Sequence, residues 1–219
     1  MNFFGHAALA RQRSPSALFA FGAMLPDFSS MIRARAPRCS DPEVGAGVAF
    51  HHQTDLAFHQ CAAFVELSTQ AFAELSALGV AKGPARAVAH VGVELLLDGV
   101  LSEDADARRG FYDALEVAPT AFDRLIWRDH GAAERLRILC ERLRQFDLVH
   151  ATPEAVARRL ERALATRPRL ALDDSDLGRV TEWALGARAQ VALRSKELFA
   201  QVAATLSREK PVPGGTKKL

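Results

Sequence analysis

Two stretches of this chain look like helices built for burial, yet each carries a charged stripe. In GVAFHHQTDLAFH, residues 47 to 59, the apolar Val48, Phe50, Leu56 and Phe58 surround His51, Asp55 and His59, which stand four residues apart. A helix turns about 100° per residue, so these three share one face. In HVGVELLLDG, residues 90 to 99, His90, Glu94 and Asp98 repeat the spacing among Val91, Val93, Leu95, Leu96 and Leu97. Burying an ionised carboxylate costs several kcal/mol unless a cation or a full set of hydrogen bonds compensates it. Two such helices call for a shared compensator, and hence for a fold that brings their polar stripes together.

The rest of the chain fits that demand. Ala, Leu, Arg and Glu recur at helical spacing and strand signals are nearly absent, so the expected fold is all-α, a single helical bundle with a metal site between core helices. A length of 219 residues suffices for a full core. Ser14-Pro15, Asp41-Pro42 and Thr152-Pro153 read as helix starts, each a capping residue followed by proline at the first helical position. Helices are expected at about 2–11, 15–24, 42–78, 84–101, 104–116, 132–146, 153–166 and 175–206, with an internal break in the third near Gly45 and Gly47. Residues 1–206 form the expected domain. The tail 207–219, with two prolines, two glycines and no apolar periodicity, is expected to be disordered.

Several function classes are excluded early. Cys39, Cys61 and Cys140 are three, with no close spacing, which indicates neither a disulfide framework nor a structural zinc knuckle. The two apolar stretches near the N-terminus are interrupted by His6 and Arg11-Gln12-Arg13, short of the roughly 20 residues a membrane span needs. No basic residue precedes Phe3, as a signal peptide would require, so the expected location is the cytoplasm. There is no Gly-rich phosphate loop and no G-x-S-x-G elbow. The formal charge is only +2, but arginines cluster at 128, 135, 137, 142, 144, 158, 159, 162, 167 and 169. They form either a solvated helical face or a dock for a phosphate or acidic partner. Their even mixing with Glu141, Glu154 and Glu161 argues against nucleic acid.

Five of the seven histidines fall in the first 90 residues, and that distribution is the main functional signal. Imidazole and carboxylate at i and i+4 form a ligand pair on one rigid helix, and two facing pairs hold one or two divalent ions in a bundle. The candidate ligands are therefore His6, His51, Asp55, His59, His90 and Glu94, with Asp27 and Asp98 as candidate catalytic carboxylates. Each has a plainer alternative: His6 as a core histidine, Asp27 as a helix cap after Pro26, Asp98 as a helix-end carboxylate, and the pairs as mutual salt bridges. His52 lies about 100° off the stripe and reads as a substrate-contacting neighbour. A donor set of imidazole and carboxylate without thiolate suits manganese, zinc or iron.

The segments MNFFGHAALA, GAMLPDF, GVAFHHQTD, LLLDGVLS and ATRPRL together resemble the acyl carrier protein phosphodiesterase family, in order over residues 1 to about 205. That family is all-helical and distantly related in architecture to the HD-type metal phosphohydrolases. The resemblance implies a divalent metal, usually manganese, and hydrolysis of the phosphodiester joining 4'-phosphopantetheine to a serine of acyl carrier protein. It marks His6, Asp27, His51, Asp55, Glu94 and Asp98 as site positions, with Arg167 and Arg169 as substrate contacts. The chain departs from the family pattern at His52 and Gln53, where arginine follows the histidine, at His59 in place of aspartate, and at Gly99 in place of histidine. These departures leave the metal site in place and the carrier-protein specificity open. His51/Asp55, His59 and His90/Glu94 also resemble the pattern of zinc-dependent phospholipase C and its nuclease relatives. Three functions follow as expectations: a carrier-protein phosphodiesterase, a hydrolase of another small phosphodiester, and a helical metal-binding module without turnover.

Overall fold

Residues 1–145 and 152–208 are described by the computed structural model, and within them helix formation follows the capping chemistry closely. Nine α-helices are present among the described residues: α1 (Phe3–Arg13), α2 (Ala17–Met31), α3 (Pro42–Gln60), α4 (Ala62–Ala77), α5 (Lys82–Leu101), α6 (Ala105–Val117), α7 (Ala132–Arg144), α8 (Pro153–Leu164) and α9 (Asp174–Arg208). The Asp41 carboxylate accepts from the amides of Glu43 and Val44, and the Thr152 hydroxyl from that of Ala155, each ahead of a proline at the first helical position. Before α2 the cap is Ser16, whose Oγ accepts from Phe19 N, so that helix starts two residues later than Ser14-Pro15 suggests. Two short strands, β1 (Arg38–Cys39) and β2 (Leu125–Ile126), pair antiparallel with Arg38 opposite Ile126. No helix among the described residues is long and apolar enough to cross a membrane.

Two boundaries differ from expectation for identifiable reasons. Helix α2 runs through Pro26 to Met31 instead of stopping at about residue 24. Proline removes one amide donor from the helix ladder, but Phe28, two residues beyond it, is fully buried in the core. Packing thus outweighs the local cost, and Asp27 lies inside a helix rather than capping a turn. The segment 42–78 breaks at Cys61, whose backbone is extended at φ −72° and ψ 139°, and not near Gly45 or Gly47. Helix α9 continues through Ser207 and Arg208, and the remaining residues of the expected tail, 209–219, lie outside the described residues.

Gly47 and Gly22 set how closely α2 and α3 approach. A Cβ on Gly47 would stand 2.1 Å from Phe19 O, and one on Gly22 would stand 2.2 Å from Val44 O. These are backbone atoms that no side-chain rotation can clear, so the two helices touch through their main chains. Aromatic residues fill the space on the other side of α2: Phe3 lies 5.7 Å from Phe28 and 5.8 Å from Phe111, ring centre to ring centre. Helix α9, 35 residues long, packs along α4, α5 and α8 and closes the bundle. Its buried Trp183 lies where a Cβ on Gly92 would sit, 2.7 Å from the ring. The outcome is that α1, α2, α3 and α5 converge with their polar stripes facing inward.

A methyl group at position 47 must push two helix backbones apart. Gly47→Ala is expected to destabilise the fold by about 1–3 kcal/mol in urea denaturation. Gly45→Ala, where a Cβ meets nothing within 4 Å, is expected to be neutral or to stabilise by up to about 1 kcal/mol.

Candidate metal centre

Four helices contribute the polar groups. Helix α1 supplies His6, α2 supplies Asp27, α3 supplies His51, Asp55 and His59, and α5 supplies His90, Glu94 and Asp98. They gather into two triads, His6/Asp27/His51 and His59/His90/Glu94, each with its donor atoms within 4.8 Å of one another. Asp55 stands between them, its Oδ1 3.8 Å from His6 Nε2 and 3.2 Å from His59 Nε2.

Hydrogen bonding at the far side of each ring sets what the first triad presents. The Thr54 hydroxyl donates its single proton to the helix carbonyls of Phe50 and His51, so toward His6 it can only accept, and His6 Nδ1–H donates to it at 2.8 Å. His51 Nδ1–H donates to Ala23 O at 2.9 Å, since a carbonyl offers no proton. Both rings therefore direct a bare Nε2 lone pair inward, their centroids 3.9 Å apart. His6 Nε2 and Asp27 Oδ2, 3.9 Å apart, are buried without a hydrogen-bond partner among the described residues. Orphaned buried polar atoms of this kind are uncommon in folded proteins and point to a missing partner.

In the second triad the His59 and His90 rings stack at 4.9 Å with 14° between planes, and His90 Nε2 lies 3.3 Å from Glu94 Oε1. The α-ammonium of Met1 reaches the space between the triads, 3.0 Å from Asp55 Oδ1, 3.3 Å from Glu94 Oε1 and 3.4 Å from His59 Nε2. A cation thus rests where the carboxylates converge, as their charge demands.

Burial governs the protonation of the cluster. It pushes His6 down to about 3, with Asp55 only partly offsetting it, and lowers His51 and His90 as well. Burial, together with the Glu94 and Asp55 charges, raises Asp27 to about 7. Asp55 would also be raised by burial, but the His59 imidazole and the Met1 ammonium hold it well below the usual carboxylate range. Asp98 is only 6% exposed, accepts from Gly5 N at 3.1 Å, and is lifted to about 8 by burial and by Glu94. It lies behind the triads, tied to the backbone of α1.

The remaining candidates are placed elsewhere. His52 is exposed, its ring edge-on to His51 at 5.3 Å. Arg167 and Arg169 are exposed after α8, and the carbonyl of Arg169 lies against Gly83 at the start of α5, seven residues and so about 10 Å of helix from His90. The arginines that do flank the cluster are others. A cleft of about 420 Å³ beside His59 and His90 is lined by Phe72, Ser68 and Arg86, the guanidinium lying 5.7 Å from the Phe72 ring centre. On the other side of the cluster, a cavity touching Glu94 includes Arg159 and Arg162 of α8. Thr54, the Ala23 carbonyl, the Gly5 amide and the Met1 ammonium were not legible as site groups. Only Thr54 had a signal, lying beside Asp55 and one turn after His51 on a buried helix.

Comparison with models of known protein families, with curated proteins and with solved structures returns no match, so the functional reading rests on this geometry. One consequence concerns stability. An Asp98 carboxyl at about 8 in the fold and near 4 when unfolded favours the folded state below pH 4, and that contribution is lost as pH rises to about 8. With chelator present, Asp98→Asn is expected to gain stability relative to the parent chain across that window, by at most about 1.4 kcal/mol per pH unit in urea melts. A pH-independent difference would show that Asp98 is ionised in the fold.

Proposed function

We propose that this chain is a metal-dependent phosphodiester hydrolase whose centre holds two divalent ions, one in each triad, with the Asp55 carboxylate between them. The observation that carries the reading is the pair of buried, partnerless atoms His6 Nε2 and Asp27 Oδ2, set beside the bare Nε2 of His51. Neutral imidazoles and carboxylates suit manganese, zinc or iron. A divalent ion in such a site polarises a phosphoryl oxygen and lowers the pKa of a water toward neutrality.

The chain's own groups have separable tasks under this reading. Thr54 and the Ala23 carbonyl hold His6 and His51 in the tautomers that expose Nε2, as outer partners of ligating histidines do. Asp27, Asp55 and Glu94 supply the negative charge that retains cations. Asp98 is a positioning residue: its bond to Gly5 N holds α1 so that His6 faces the centre. Arg86 on one side and Arg159 and Arg162 on the other place guanidinium groups near an anionic ester. The family resemblance makes holo-acyl carrier protein the first physiological substrate to test, and a small phosphodiester the second.

A non-catalytic reading has one observation in its favour. The Met1 ammonium already neutralises Asp55 and Glu94, so the cluster could serve as an ion-pair network. Elemental analysis of protein purified without chelator or metal-affinity steps separates the two. The hydrolase reading expects about two ions per chain. One ion should be lost in His51→Ala, the other in Glu94→Ala and both in Asp55→Ala, with hydrolysis of bis(p-nitrophenyl) phosphate lost in all three. Thr54→Val should weaken metal retention about 10–100-fold. Metal-free protein that regains none on dialysis against these ions overturns the hydrolase and leaves the ion-pair network.

A further inference from the structure

The cavity on the Glu94 side of the centre has a different chemistry from the cleft beside His59 and His90. It measures about 360 Å³, at the low end of small-molecule pockets, which span roughly 300–1,000 Å³. Its walls come from α1, the end of α2, α5, α7 and α8, and Phe3, Val91, Leu95 and Leu143 make most of them apolar. Three charged residues interrupt that lining: Glu94, Arg159 and Arg162.

The two arginines stand three apart on α8, the spacing that puts residues on one helical face, where like charges are mutually unfavourable. Arg159 is half-buried, with Arg162 and Asp98 as its charged or ionisable neighbours. Arg162 is exposed at the rim, its Nε–H donating to Arg158 O at 3.1 Å. Glu94 turns its carboxylate to the Met1 ammonium and His90. Arg159 and Arg162 thus line a space whose other walls are mostly apolar, the pattern of a pocket in which a few polar groups orient an otherwise apolar ligand.

We infer that this cavity binds one arm of the ester: the ligand is a phosphate ester carrying an apolar arm, the arm lies against Phe3, Val91, Leu95 and Leu143, and Arg159 and Arg162 select for its anionic group. The inference rests on the hydrolase reading, because Glu94 belongs both to the cavity lining and to the second triad.

Binding of alkyl phosphates tests it without turnover. Titration calorimetry of the full chain with butyl, hexyl and octyl phosphate, each below its critical micelle concentration, is expected to show affinity rising about fourfold per methylene until the cavity is filled. Inorganic phosphate should bind weakest. Arg162→Gln should weaken every member about tenfold with the chain-length trend intact, as loss of one charge-assisted bond does. Ala163→Phe, at an exposed position on the cavity rim, should abolish the trend. Affinity independent of chain length, or unchanged in Arg162→Gln, overturns the assignment, as does binding that appears only above the micellar concentration. The two readings fail separately. Protein that binds the series yet hydrolyses no diester overturns only the hydrolase, and protein that hydrolyses bis(p-nitrophenyl) phosphate but shows no chain-length trend overturns only the cavity.

Discussion

The close approach of α2 and α3 is the contact on which the rest of the centre depends. Because Gly22 and Gly47 carry no Cβ, the two backbones meet at van der Waals distance, and Ala23 O comes within 2.9 Å of His51 Nδ1. That bond decides which nitrogen of His51 faces inward. The same contact carries Asp27, one turn beyond Ala23 on α2, to the His6/His51 pair. A wider helix separation would leave His51 without its acceptor and Asp27 out of reach.

Electrostatics then works against the fold rather than for it. Burial lifts Asp98 to about 8 and Asp27 to about 7, so the first is held mostly and the second partly in the protonated form that water would not favour at pH 7, while His6, depressed to about 3, stays neutral well into the acid range. Burying groups that water would solvate as ions costs stability, and the extensive aromatic and aliphatic core around α1, α2 and α6 is what makes the cost tolerable. Groups perturbed by burial and by each other are characteristic of functional sites. Here the perturbation is centred on the stripe, while surface arginines such as Arg137 pair locally with Glu134 and Glu141.

Much of this was readable in the residues. The four-residue spacing of His51, Asp55 and His59, and of His90, Glu94 and Asp98, identified both helices and six members of the cluster, because helical periodicity is a local property. The caps at Asp41 and Thr152 were equally local. Pro26 misled for the same reason: its local preference is to end a helix, and the burial of Phe28 overrides it through contacts distant in sequence. Gly45 and Gly47 looked like one weak point, yet only Gly47 meets another backbone, and the break lies at Cys61.

The amino-acid sequence by itself determined an all-helical chain with a polar stripe on each of two buried helices, since spacing and capping act within a few residues. Tertiary structure alone decided that the stripe divides into two triads with Asp55 between them, because that depends on which helix each residue faces. It also decided which arginines lie beside the cluster. Arg167 and Arg169 were marked by resemblance, whereas Arg159 and Arg162 line a cavity together with Glu94 because α8 packs against α5, a contact between residues some 65 positions apart that no local pattern encodes.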